Sequence, residues 1–474
     1  MAIEPHAQMP PVRRTTPGRW IVNRDHRLER ETRPVLPVEG MDEAQRNEIY
    51  EAAKKADYEI QKLQALPMSE LMELAQREQI DGSSGLGRQE LLFQILRRRA
   101  TSSGLGWAEG VLDILPDGFG FLRSAHHHYV AGPDDIYVSP SQVRRLNLKQ
   151  GHEVAGPVRP PKEGEKYFAL LHVETVNGGT IEQLRQRIPF DDLTPVMPQH
   201  RLRLEHPECT ADLRVIDLLA PLGKGQRVLV STPPFAGRNR LLVHIAQGLL
   251  HNHPETYLIH LLLDARHEEV TEVLRRTGPE TRREVVAATF DEPPARQIAL
   301  AELALERARR MVEAGRDVVL LVDSLTALTR AYNIEVPHSG KVLSVGLDAV
   351  ALHKPKRLFA SARSIEEGGS LTVVATSLTD TKVRVNDVIH DEFAGRANCD
   401  IVLDRHLAEL HVVPAIDVVR TGTRMEDNLM EGDELDTVRR LRRTIDGEDT
   451  ARALEALLEL IQRSPTNAEL LARI

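Results

Sequence analysis

RVLVSTPPFAGRNRLLVHIAQGLL, residues 227–250, decides how this chain is read. A short apolar run, 227–230, leads into a loop holding Pro233, Pro234 and Gly237. Leu241, Leu242, Ile245, Ala246 and Leu249 then recur at the spacing of one apolar helix face. Strand, glycine-containing loop and helix is the arrangement that cradles phosphate on backbone N–H groups at a helix N-terminus. A working loop of this kind ends in Gly-Lys-Ser/Thr. This one ends Gly237-Arg238-Asn239. Two readings stand: a nucleotide site whose chemistry has been altered, or an ordinary strand-loop-helix.

The surroundings favour a large α/β domain. From 213 onward apolar runs alternate with helical stretches: 227–231, 256–264, 284–290, 317–325, 370–378 and 399–404. They are rich in β-branched and apolar residues almost without interruption, as strands of a parallel sheet covered on both faces are. A long amphipathic helix is predicted over 296–315. The fold class is α/β with a mainly parallel sheet, followed by a charged helical segment from 433.

Before residue 213 the character differs. Residues 1–40 hold six prolines and seven arginines and read as a disordered tail. Residues 41–64 read as helical, and 67–100 as two short helices around a Gly/Ser turn at 82–85. Five short β-type runs between 107 and 176 predict a small barrel. Residues 177–205 read as a polar connector.

With 474 residues the chain has room for two to four domains. Its 41% apolar and 28% charged residues fit a soluble globular protein. A net charge of −9 means that any nucleic-acid site must come from local arrangement. Two cysteines, Cys209 and Cys399, make no disulfide framework or zinc site and fit a reducing cytoplasm. No apolar run reaches the ~20 residues of a membrane span, and no secretory signal is read.

DGFGFLR, 117–123, puts Phe119 and Phe121 on one strand face, alternating with Gly118 and Gly120. Paired exposed aromatics would form a stacking platform for single-stranded bases, with Arg123 open to phosphate; the competing reading makes both phenylalanines core. His126-His127-His128 has no partner ligands at a recognisable spacing and reads as a solvated loop, not a metal site.

DGFGFLRSAHHHYVAGPDDIYVSPSQVRRLNLKQG (117–151) and RPPKEGEKYFALL (159–171) resemble the RNA-binding domain of the bacterial transcription termination factor Rho family. The likeness continues through EEVTEV (268–273), TFDEP (289–293), DSLTALTRAYN (323–333), HSGKVLS (338–344), ARSIEEGGSLTVVAT (362–376) and PAIDVVRTGTR (414–424), and so spans about 67 to 445. It implies a helical N-terminal region (65–104), an OB-type RNA-binding barrel (105–180) and a RecA-like ATPase-type domain (213–432); the tail and helix (1–64), the connector (181–212) and the helical segment (433–474) read from composition complete the division.

The resemblance also implies roles. Phe119, Phe121, Arg123, Tyr137, Glu165, Lys166 and Tyr167 would hold short pyrimidine-rich RNA. A second RNA site would line a ring interior through Lys341 on one loop and Lys382 and Arg384 on another. The nucleotide loop would be Thr232, Pro233, Pro234, Phe235, Ala236, Gly237, Arg238 and Asn239, with Phe393 stacking adenine. Asp323 would support Mg²⁺, while Arg266 and Arg405 would act at a subunit interface, Arg405 as the arginine finger. Four positions depart from the family. Phe235 replaces a phosphate-contacting lysine and Arg238 the loop lysine. Asn239 replaces the Mg²⁺-holding hydroxyl, and Ala265 the catalytic glutamate. Alanine cannot activate water, and loss of a general base costs roughly 10²–10⁴ in rate.

The expected function is therefore a Rho-type RNA-binding ring protein of transcription termination, with ATP hydrolysis weakened or lost. ATP and Mg²⁺ are implied by the family, and no metal site is read beyond that. The expected partners are single-stranded RNA, further subunits in a homohexamer or in a mixed hexamer with an active Rho, and RNA polymerase, but no membrane. The alternative is an active RNA-dependent ATPase that translocates on nascent RNA.

Overall fold

The computed structural model describes residues 60–474 except 81, 104–105, 279–281, 338–342, 344–345 and 446–448. The proline- and arginine-rich tail, the helix expected from 41 up to residue 59, and Lys341 lie outside the described residues.

Helices Ile60–Ala65, Met68–Arg77 and Arg88–Ser103 precede a six-stranded barrel. Its strands are β1 (Gly106–Ile114), β2 (Gly120–Arg123), β3 (Ile136–Val138), β4 (Glu153–Arg159), β5 (Phe168–Leu170) and β6 (Thr175–Val176). They run in the order β1-β2-β3-β5-β4-β6, and β1 also pairs with β4. The sequence predicted five strands; the run 167–176 breaks into β5 and β6, which pair with different stretches of β4. The helices and barrel share one core. Leu71, Leu91, Leu92, Ile95 and Leu96 pack with Ala108, Leu112, Leu122, Val154 and Phe168.

The stretch expected as a connector carries structure. Helix Ile181–Gln186 is followed by β7 (Pro195–Val196), which adds to the large sheet, and β8 (Arg201–Leu202), which pairs with β9 (Leu222–Gly223).

The large sheet continues with β10 (Arg227–Thr232), β11 (Tyr257–Ala265), β12 (Arg283–Thr289), β13 (Asp317–Asp323), β14 (Arg363–Ile365), β15 (Ser370–Leu378), β16 (Cys399–Val402) and β17 (Gly422–Thr423). Its main order is β12-β11-β13-β15-β10-β16-β17, parallel from β12 through β16. The apolar runs read from the sequence become these central strands because both faces are covered. One face packs on the helix Pro294–Val312 through Leu300, Ala304 and Met311. The other packs on Arg238–Asn252 through Leu241, Leu242, Ile245 and Leu249. The C-terminal helices Gly432–Ile445 and Thr450–Gln462 add Leu441, Leu454 and Leu457 to that second core.

The histidine loop corrects the expectation of a solvated loop. His127 is buried, with Nδ1 3.3 Å from Asp134 and Nε2 accepting from Arg88 at 3.2 Å. His128 Nδ1 donates to the Val285 carbonyl of β12 at 3.2 Å, and Arg296 donates to the His128 carbonyl. Tyr129 donates to Glu284. The loop docks the barrel on the α/β domain. Beside it Arg307, 1% exposed, binds Glu153 of the barrel and Glu284 of β12, and Tyr257 donates to Glu284 at 2.7 Å. Burial opposes the charge on Arg307, yet Glu153 and Glu284 together hold its pKa above the ordinary arginine range.

Candidate nucleotide site and nucleic-acid interface

β10 ends at Thr232, which is fully buried and whose hydroxyl donates to the Pro233 carbonyl at 2.9 Å. The loop then turns with Phe235 and Gly237 at φ 66° and 87°. Gly237 takes the left-handed conformation that glycine adopts freely and caps the helix Arg238–Asn252. Pro233 and Ala236 are buried, Pro234 half-buried, and Phe235 is 94% exposed at the loop tip. The backbone has the form of a phosphate loop; its side chains do not.

Arg238 turns back onto Asp323 at the end of β13, with Nε 3.3 Å from Oδ2. The same nitrogen donates to Asn239 Oδ1 at 3.1 Å. Asp323 Oδ1 accepts from the Thr376 hydroxyl of β15 at 2.7 Å. Burial raises the Asp323 pKa, opposed first by Arg238 and then by the Thr376 hydrogen bond.

Ala265 is buried among Val243, Val270 and Val273, so the position at which the resemblance implies a catalytic glutamate belongs to a small apolar cluster. Beside it Asp264, at φ 59°, marks the register shift in β11 and is exposed. Partial desolvation of its carboxyl at the bulge raises its pKa, opposed by Arg330 and Arg238. The sequence reading missed Asp264 and Arg330, because nothing in spacing alone brings the β11 bulge and the helix Leu325–Glu335 to the loop arginine.

Mg²⁺ requires near-octahedral oxygen ligands at roughly 2.0–2.1 Å. Here the carboxylate and the amide oxygen at the expected metal positions both face a guanidinium. The donor set does not fit the ion.

Phe393 corrects a second expectation. It is 0% exposed, edge-on to Phe359 at 5.8 Å, and sits in the core with Ile389, four residues earlier on the same helix. That i, i+4 pair defines the inward face of Arg384–Ala394. Phe393 helps wall a cavity of about 530 Å³ that Arg227 and Asn398 also line. Arg227 begins β10, whereas the loop follows the strand's end, so this cavity is not beside the loop. The ring offers no stacking face there.

Arg266 is exposed at the head of helix His267–Thr277. Arg405 begins helix Arg405–Glu409 and is held within the same chain by Asp380, through both its carboxylate and its carbonyl. Lys382 and Arg384 are exposed near Asp380, Lys382 with φ 61°.

On the barrel, Phe119, Phe121, Tyr137 and Tyr167 form one aromatic cluster. Centroids lie 5.8 Å apart for Phe119–Phe121, 5.8 Å for Phe119–Tyr137 and 4.8 Å for Phe121–Tyr167. Phe121 is only 8% exposed, covered by its neighbours. Gly120 is not an opening between two platforms: a Cβ there would meet Leu112 Cδ1 at 2.6 Å, so the glycine lets β1 and β2 close. Arg123, expected open to phosphate, is buried. It pairs with Asp113 at 3.1 Å and with Asp135, and its guanidinium lies 5.1 Å from the Phe121 centroid. Burial pushes the Asp135 carboxyl up to about 6, with Arg123 opposing. Glu165 is exposed and gripped by Arg159 through two bonds, 2.6 and 2.9 Å, which hold its pKa below the ordinary range. Lys166 is exposed and Tyr167 half-buried. The sequence reading missed Arg159.

The fold and sites define a class: a single-strand nucleic-acid barrel joined to a parallel-sheet domain with a phosphate-type loop. Residues 62–104 match the Rho termination factor N-terminal domain, 108–182 the Rho termination factor RNA-binding domain, and 212–422 the nucleotide-binding domain of the ATP synthase alpha/beta family. The transcription termination factor Rho of Rhodopirellula baltica is 48% identical over 417 residues, covering 88% of this chain and 81% of that protein. That of Pseudomonas fluorescens biotype C is 49% identical over 410 residues, covering 86% and 97%. Among solved structures, a type III secretion ATPase aligns with a TM-score of 0.49 at 23% identity, covering 59% of this chain and 87% of that chain. This chain belongs to the transcription termination factor Rho family.

Proposed function

We propose that this chain is an RNA-binding ring protein of transcription termination whose ATP hydrolysis is weakened or lost. It takes pyrimidine-rich single-stranded RNA on the barrel's aromatic cluster and along loop cations including Lys382 and Arg384, and works in the cytoplasm as a hexamer or a mixed hexamer, in reach of RNA polymerase. The family match and the intact cluster support the RNA role. The observation that carries the loss of hydrolysis is the Arg238–Asp323 pair, together with Ala265 where a base would stand. No helix among the described residues is long and apolar enough to cross a membrane.

A second reading, an active RNA-dependent ATPase, draws on the presence of Asp323, Arg266 and Arg405. ATP turnover of the purified protein, with and without cytidine-rich RNA, separates the two. The first expects no RNA-stimulated turnover despite RNA binding. Brisk stimulated turnover by contaminant-free protein decides for the second.

A further inference from the structure

The two groups standing where the metal's protein partners belong point at the same nitrogen. Arg238 Nε lies 3.3 Å from Asp323 Oδ2 and 3.1 Å from Asn239 Oδ1. The other Asp323 oxygen is taken by Thr376. A divalent ion entering here would have to displace the guanidinium from a carboxylate that is almost completely buried, which leaves one charge unpaired in a poorly solvated place. Meanwhile the terminal nitrogens of Arg238 make no hydrogen bond among the described residues, on a side chain 28% exposed. A planar fork with free N–H groups is suited to bidentate phosphate contacts. The loop backbone keeps the form that presents N–H groups at the helix start. Charge compensation for a bound polyphosphate is thus already supplied by the chain.

We propose that Arg238 is a resident replacement for the divalent cation, so that this site binds nucleoside triphosphates without metal. The proposal rests on the reading of the loop as a nucleotide site that does not turn over, and deepens it. Asn239 belongs to the device: its amide oxygen accepts from the guanidinium and helps keep Nε between the two oxygens. Phe235 at the loop tip, far from any lysine role, leaves Arg238 as the cation nearest Asp323.

The test is titration of the full chain with a fluorescent N-methylanthraniloyl ATP, once in excess EDTA and once in excess Mg²⁺. The expected affinities agree within about twofold. Arg238→Ala should lose about tenfold or more of the affinity in EDTA, the scale of a charge-assisted contact. Asp323→Asn should tighten the affinity in EDTA, since it frees the guanidinium for phosphate. Affinity that appears only with Mg²⁺, or is tenfold tighter with it, overturns the proposal, as does no binding in either condition. The comparison within the parent protein needs no variant, so a misfolded substitution cannot mask the outcome. Brisk Mg²⁺-dependent turnover would remove the reading beneath the proposal; Mg²⁺-dependent binding without turnover removes only the proposal.

Discussion

Phe121 is mostly covered by Phe119, Tyr137 and Tyr167, so a base stacking on the barrel meets the cluster rather than one free ring. Phe121→Ala removes its central member and should weaken binding of a short cytidine oligonucleotide by about 1–3 kcal/mol. Unchanged affinity in a Phe119→Ala/Phe121→Ala double variant would show that the cluster is only structural. His260 has a different consequence. It lies fully buried in β11, and neither ring nitrogen is hydrogen-bonded among the described residues. Burial, and then Arg283, push its pKa from 6.5 down to about 3. The unfolded chain therefore binds this proton more readily than the folded one. The stability tied to a neutral His260 is fully present above about 6.5 and is lost as pH falls from there toward about 3, by roughly 1.4 kcal/mol per unit. Burial pushes the Asp217 carboxyl up to about 6, which acts in the opposite sense but equally in parent and variant. His260→Leu should thus lose less melting temperature than the parent between pH 7 and pH 5; identical losses in paired thermal scans would contradict it.

At the scale of elements, the phosphate loop and the strands around it share one fate. Phe235, Arg238 and Asn239 follow β10, and Ala265 ends β11, so the four positions singled out in the sequence lie at two strand ends, which β13 and β15 separate in the sheet. Groups that act as a unit lose function non-additively. No single reversion is expected to restore RNA-stimulated hydrolysis. The combined Phe235→Lys, Arg238→Lys, Asn239→Thr and Ala265→Glu variant is expected to regain it, measured as phosphate release. Full recovery from Ala265→Glu alone would mean that the Arg238–Asp323 pair is no obstacle. The sequence made the parallel strands legible because two-sided burial leaves a continuous apolar run, and the altered loop legible because it ends Gly237-Arg238-Asn239 where a phosphate loop ends in Gly-Lys-Ser/Thr. It did not show that Gly120 serves β1–β2 closure, that Phe393 faces inward beside Ile389, or that Arg238 reaches Asp323. Those depend on which strands become neighbours and on where long side chains turn. Arg123 illustrates the same limit: strand alternation gave its face, but Asp113 and Asp135 claim its charge only once β1 and the 132–135 turn come together.

For the whole molecule, the barrel and α/β domain are joined through Arg307, Glu153 and Glu284. Arg307→Met leaves two carboxylates facing each other without their cation and should cost about 3–5 kcal/mol, read as a lowered urea midpoint; adding Glu153→Gln and Glu284→Gln should recover part of it. A midpoint equal to the parent's would show that this junction contributes nothing. Assembly adds the final prediction. If a nucleotide site in the ring takes its loop from one subunit and an arginine from the next, the proposed loss of hydrolysis silences this chain's own loop while the chain still carries Arg405. That side chain is held by Asp380 in the single chain, and because the pair is exposed, its release for a neighbour costs little. In a ring mixed with an active Rho, the interface where this chain supplies the loop should stall. The interface where it supplies only Arg405 should still hydrolyse, since such an arginine is worth roughly 10³–10⁵ in rate. Titrating the protein into an active Rho should therefore lower RNA-stimulated hydrolysis in steps, and Arg405→Ala should inhibit more strongly at equal dose because both of its interfaces are then dead. Equal inhibition by the two forms, or no mixed assembly by mass measurement, leaves competition for RNA as the means by which this chain acts on termination.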